Sequence, residues 1–122
     1  MIYNPQAECM DSQARMKLQL ANLKNLAETL YSKVEFYRKK MDEGGIKPRD
    51  IHTLKDIEKL PFTTKDDLRI NYPHGLRACP ADRIVEAHMT SGTTGKPVVD
   101  EYTEKDIDIW REAMARTLAA GG

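Results

Sequence analysis

The residues of this chain whose types and spacing could do chemistry are Thr90-Ser91-Gly92-Thr93-Thr94-Gly95-Lys96-Pro97. The chemistry is anion binding. Gly92 and Gly95 let backbone approach an anion with no Cβ in the way, and Thr90, Ser91, Thr93 and Thr94 offer hydroxyl donors. Lys96 adds one positive charge. Pro97 fixes the exit from the loop and removes a backbone donor that would compete for partners. The phosphate loop of NTPases needs a further glycine ahead of its Gly-Lys pair and a Ser or Thr after the lysine. Those slots hold Thr90 and Pro97 here, so the stretch is not that loop. Residues 84–89 and 98–102 both read as extended, which makes residues 90–97 a connection between two strands. Ordinary hairpin connections are shorter and seldom combine these residues. Composition alone specifies an anion and no more.

The elements that must position this loop are mostly helical. Met16, Leu20, Leu23, Ala27, Leu30, Val34, Tyr37 and Met41 recur in steps of three and four, a single helical stripe that Gly44-Gly45 ends. Lys39 and Lys40 lie near its C-terminal end, where the helix dipole favours cations. The stripe reads as one helix or as two. Thr53 caps a turn stopped by Pro61, and Thr64 caps a short helix, with Asp66 and Asp67 in its first turn, stopped by Pro73. Residues 72–83, with Pro73, Gly75 and Pro80, read as a loop. After the hairpin, Thr103 and Asp106 form a near capping box for a last helix. Its expected inward face is Ile107, Trp110, Met114 and Leu118, and Gly121 is placed to end it. Residues 1–11 carry little periodicity and are expected to be an arm ordered only against a partner surface. The fold class is therefore α+β, mainly helical with a β-hairpin: a helical part at about 12–71, the loop hairpin at about 84–102 and a helix at about 104–120.

A chain of 122 residues supports one modest core. Its 19 basic and 19 acidic residues balance, which removes the electrostatic case for nucleic acid or an anionic membrane. No hydrophobic run reaches spanning length, Cys9 and Cys79 form no C-x-x-C pair, and a reducing cytoplasm is the simplest home. His52, His74 and His88 lack metal-ligand spacing with each other or with the cysteines, so no metal site is expected from them. Trp110 and Tyr102 read as core, and Lys65 as a solvated helix residue.

Three further stretches accompany the loop: Phe36-Tyr37-Arg38-Lys39-Lys40, then Leu60-Pro61-Phe62-Thr63-Thr64-Lys65-Asp66-Asp67-Leu68-Arg69, then Tyr72-Pro73-His74-Gly75-Leu76. With residues 90–97 they resemble, in order and spacing, the phenylacetate-CoA ligases of the AMP-forming adenylating superfamily, from about Leu20 to Gly122. Many of those relatives carry a proline where this chain has Glu35, which would leave the helical stripe unbroken here. The resemblance implies an N-terminal portion of the large α/β domain of such an enzyme, a fragment expected to be inactive alone because the family is several times longer. It implies ATP-dependent joining of an aryl acid, phenylacetate, to coenzyme A. The carboxylate attacks the α-phosphate of ATP to give an acyl-adenylate and pyrophosphate, and the coenzyme A thiol then displaces AMP. It further implies that Thr90, Ser91, Gly92, Thr93, Thr94, Gly95 and Lys96 hold the outgoing pyrophosphate end of ATP, that Lys96 is the catalytic contact, and that Mg2+ shares the phosphate charge. The partners would be the aryl acid, ATP and CoA. Two other classes fit the residues: a helical oligomerisation module built on residues 16–41, as a homo-oligomer, and a nucleotide-binding module without catalysis.

Overall fold

In a computed structural model, which describes residues 1–92, 95 and 97–122, five α-helices and one two-stranded sheet alternate with 3-10 turns. The helices are α1 (Pro5–Glu8), α2 (Ser12–Lys33), α3 (Glu35–Glu43), α4 (Lys65–Ile70) and α5 (Glu104–Gly121). The strands are β1 (Ile84–Met89) and β2 (Val99–Thr103), and 3-10 turns occupy Pro48–Asp50, Leu54–Lys59 and Ala81–Arg83.

One short-range device recurs at three starts. Thr53, Thr64 and Thr103 each precede an aspartate three residues on, and each aspartate returns to the threonine N–H, with N···O distances of 2.7 Å to Asp56, 2.8 Å to Asp67 and 2.9 Å to Asp106. Thr64 and Thr103 reciprocate by accepting from the aspartate N–H. Asp thus closes the box despite being shorter than Glu, because the turn brings its carboxylate back over the first residue.

The apolar stripe is divided between two helices. Val34 sits between them at φ −118 and ψ 103, an extended conformation in which its N–H still closes the last turn of α2 onto the Leu30 carbonyl at 3.0 Å. The break needs no proline at position 35. Val34 itself is buried, and β-branched valine accepts extended backbone readily. Folding back across this residue lets α3 lie on α2 and places Ala27 and Met41 in one core with Ile46 and Ile51, flanked by Leu20, Leu23, Tyr31 and Leu60. The stripe is thereby consumed inside one chain, which disfavours the helical oligomerisation module. Only its first residue, Met16, remains half exposed.

The arm at the N-terminus does not wait for a partner. Asn4 caps α1 ahead of Pro5, its side-chain oxygen accepting from the Ala7 N–H at 3.2 Å, and its amide nitrogen donates to Glu112 of α5 at 2.6 Å. The terminal amine donates to the Ala119 carbonyl at 3.0 Å. An Asn-Pro start is a cap signal that low periodicity concealed.

β1 and β2 pair antiparallel, with Ala87 opposite Glu101, His88 opposite Asp100 and Met89 opposite Val99. One extra residue between Ile84 and Glu86 bulges β1 at the far end of the hairpin from the loop. Val98 and Ile107 are the buried apolar residues of this half. The expected inward face of α5 is only partly inward. Ile107 is buried, but Trp110, Met114 and Leu118 are 44%, 48% and 68% exposed, so α5 turns most of that apolar stripe outward.

Candidate functional site

Residues 90–97 leave the sheet at one end. The base of the loop is held by two hydrogen bonds between Thr90 and Val98: the Thr90 N–H donates to the Val98 carbonyl at 3.0 Å, and the Val98 N–H donates to the Thr90 hydroxyl at 3.0 Å. Thr90 therefore spends an acceptor lone pair on the stem, while its hydroxyl proton stays available to a ligand. Gly92 has φ +65, and a Cβ there would stand 3.0 Å from the Gly95 carbonyl and 3.3 Å from the Pro97 nitrogen. A side chain at position 92 would be strained and would crowd the Gly95 carbonyl and Pro97. Gly95, at φ +140, donates its N–H to the Gly92 carbonyl at 3.0 Å. The two positive-φ glycines thus hold the described part of the connection in a backbone conformation that other residues rarely adopt. Thr93, Thr94 and Lys96 lie outside the described residues.

The stretches that accompany the loop in sequence meet in space. Lys40 of α3 donates to the Asp67 carboxylate at 2.7 Å and to the Phe62 carbonyl at 2.7 Å, with its ammonium 5.1 Å from the centre of the Phe36 ring. The Tyr37 and Thr63 hydroxyls share a hydrogen bond at 2.8 Å. Asp67 thus caps α4 and anchors α3 at once. Lys40, read from sequence as a dipole-compensating helix residue, is a cross-element contact; its partner lies 27 residues away, beyond any local signal.

A second polar junction joins the segment after α4 to the hairpin. The Arg77 guanidinium forks onto the Glu101 carboxylate, Nε to Oε2 at 2.8 Å and Nη2 to Oε1 at 2.5 Å. His74 stands beside both, with Nδ1 2.7 Å from Arg77 Nη2 and 3.1 Å from Glu101 Oε1. On the hairpin, His88 of β1 and Tyr102 of β2 form a ring cluster with Trp110 of α5, with centroids 5.2 to 5.6 Å apart. His88 also meets Glu86 at 2.5 Å. Among the described residues no group of three or more His, Cys, Asp and Glu side chains could hold a metal ion, and no helix is long and apolar enough to cross a membrane.

Two carboxyls at these junctions are held below their ordinary values. Arg77 does this to Glu101; Lys40, followed by the Thr64 N–H, does it to Asp67. A carboxyl lowered in the folded state contributes stability above its unfolded pKa and loses it as pH falls toward the lowered value. The thermal midpoint should therefore be level from about pH 7 to 5 and fall below about pH 4. The double variant Glu101→Gln/Asp67→Asn should start from a lower midpoint and show a shallower acid slope. An unchanged slope would assign the acid loss to other carboxylates.

The chain is 43% identical over 122 residues to the phenylacetate-coenzyme A ligase of Thermus thermophilus, and 42% identical over 125 aligned positions to that of Escherichia coli. It is 48% identical over 105 residues to that of Aromatoleum evansii. In sequence, the chain is similar to phenylacetate-coenzyme A ligases over all or most of its own length. It spans about a quarter of the length of these curated relatives: 27%, 29% and 24% in the same order. The match to adenylating CoA ligases falls in their N-terminal region. A solved 2-hydroxyisobutyryl-CoA ligase, in complex with 2-HIB-AMP and CoA, superposes with a TM-score of 0.81 at 31% identity, over 92% of this chain and 25% of that one. The same ligase in its postadenylation state gives a TM-score of 0.79 at 27% identity. No family model matches the chain. The mainly helical chain with its antiparallel hairpin thus has the fold of the corresponding region of adenylating CoA ligases.

Proposed function

We propose that this chain is the N-terminal portion of the AMP-binding domain of an ATP-dependent, cytoplasmic ligase that joins an aryl acid, phenylacetate, to coenzyme A through an acyl-adenylate. The observation that carries the reading is the glycine-lined loop at the end of the hairpin, in a chain 43% identical to a phenylacetate-coenzyme A ligase. The acyl-adenylate and CoA seen in the 2-hydroxyisobutyryl-CoA ligase support the same chemistry.

In this reading Ser91, Gly92, Thr93, Thr94, Gly95 and Lys96 receive the pyrophosphate end of ATP, with Thr90 closing the loop behind them. A carboxylate is a poor electrophile because its leaving group would be an oxide, and adenylation supplies a good one. The residues of the loop then stabilise charge that grows on departing pyrophosphate, an interaction stronger in the transition state than in the ground state. Mg2+ is proposed only as a companion of the nucleotide phosphates, since the described residues offer it no cluster of protein ligands.

The test is ATP–pyrophosphate exchange by an intact ligase carrying this sequence, with phenylacetate, benzoate and a medium-chain fatty acid compared side by side. Phenylacetate should drive exchange best. A preference for the fatty acid would overturn the aryl specificity and keep the superfamily; no exchange with any acid would overturn both. The 122-residue chain alone should bind ATP no tighter than about millimolar, near −4 kcal/mol, because a loop without adenine and ribose contacts has little to offset its ordering cost. Micromolar binding by calorimetry would favour an autonomous nucleotide-binding module without catalysis.

A further inference from the structure

We propose that Arg77 and Glu101 are a positioning pair for the phosphate loop, a clamp that holds the hairpin against the helical part of the chain and so fixes where the loop is presented. The proposal rests on the reading of residues 90–97 as the phosphate site.

The hairpin is a poor platform by itself. A two-stranded ribbon is marginally stable in water, and this one carries its loop at one end and a bulge at the other. Alternation along β2 puts Val99, Glu101 and Thr103 on one face. That face looks into a cavity of about 530 Å3 whose other wall includes Leu68 and Leu76 from the helical side. Packing across such a gap cannot hold the strand closely. Arg77 bridges it from the segment after α4, and its planar fork takes both oxygens of Glu101, which fixes orientation as well as distance. The two side chains are 19% and 12% exposed, so the fork is screened from most competing water. Glu101 lies on the strand that leaves the loop, in the register set by Val98 and Thr90. Any tilt of β2 is passed to Gly92 and Gly95 through that short stem.

Amide hydrogen exchange of the chain tests the clamp without using ligase activity. In Glu101→Gln and in Arg77→Met, amides of residues 84–103 should exchange about tenfold faster while those of α2 keep their rates. The double variant should be no faster than either single one, because both remove the same fork. Arg77→Lys keeps the charge and loses the bidentate geometry, and should fall between parent and Arg77→Met. Equal acceleration in α2 and the hairpin, or none in the hairpin, would overturn the proposal. In the intact ligase the same variants should lower kcat for the exchange reaction about tenfold, leave the KM for the acid in place, and spare thioester formation from preformed acyl-adenylate. Faster amide exchange in the hairpin with an unchanged kcat for ATP–pyrophosphate exchange would reduce the pair to a structural contact and overturn its positioning role. If the parent ligase shows no acid-dependent exchange, the proposed function fails, and the amide rates still decide whether the clamp exists.

Discussion

Replacing Lys96 with alanine in the intact ligase is expected to slow aryl-acid-dependent ATP–pyrophosphate exchange by roughly ten- to a hundredfold. Lys96 is the one cation within residues 90–97. A charge-assisted hydrogen bond is worth about 1.5 to 3 kcal/mol, and each 1.4 kcal/mol lost from the transition state is about a factor of ten in rate. The loss should fall mainly on kcat, because the charge that Lys96 meets is largest as pyrophosphate departs. Thioester formation from supplied acyl-adenylate should fall much less, since pyrophosphate has already left. Arginine should restore part of the rate, as it keeps the charge and changes its geometry. Equal losses in the two half-reactions would assign Lys96 to folding or to another step.

What could be read from sequence was what is encoded within a few residues. The starts at Thr53, Thr64 and Thr103 are set within three positions and all appear in the structure; the returning aspartate was legible at Asp106, and Asp56 and Asp67 repeat it. The two strands and the glycine-rich connection between them are likewise local, set by extended runs and by Gly92 and Gly95. Val34 was harder. It occupies a proper place in the apolar period, yet it leaves the helix, because burying Ala27 and Met41 in one core requires a turn between α2 and α3. Periodicity reports which residues want burial, and it does not report where the chain must bend to bury them.

The remaining surprises are contacts between distant residues. Lys40 with Asp67, and Arg77 with Glu101, are 27 and 24 positions apart, and charge alone does not select them from 38 charged residues. The family markers contained three of these four residues only as neighbours or members of recognisable strings; their roles emerged when the strings met. The α5 face failed for a different reason. Helical spacing correctly joined Ile107, Trp110, Met114 and Leu118, but a stripe is covered only if another surface reaches it, and here Ile107 is buried while Trp110 meets the His88 and Tyr102 rings and stays half exposed. Thr93, Thr94 and Lys96, the centre of the loop as read from sequence, remain assigned by residue type and by resemblance.

These two kinds of apolar position should separate sharply in a stability experiment. Ile51 is 1% exposed and packs with Ala27, Met41 and Ile46, where α2, α3 and the Pro48–Asp50 turn come together. Ile51→Ala removes buried carbon atoms and leaves a cavity that the surrounding helices can only partly close, a loss of about 2 to 5 kcal/mol. Small domains have a total stability of about 5 to 15 kcal/mol, so this one change could take the chain most of the way to unfolding. Leu118→Ala deletes an equally apolar side chain that is already 68% exposed, and should stay within about 0.5 kcal/mol. Urea unfolding followed by circular dichroism reads both: the midpoint should drop steeply for Ile51→Ala with an unchanged slope, and barely move for Leu118→Ala. Comparable losses from the two variants would mean that α5 packs its apolar stripe inward in solution, and that the core formed by α2 and α3 is not where the chain stores its stability.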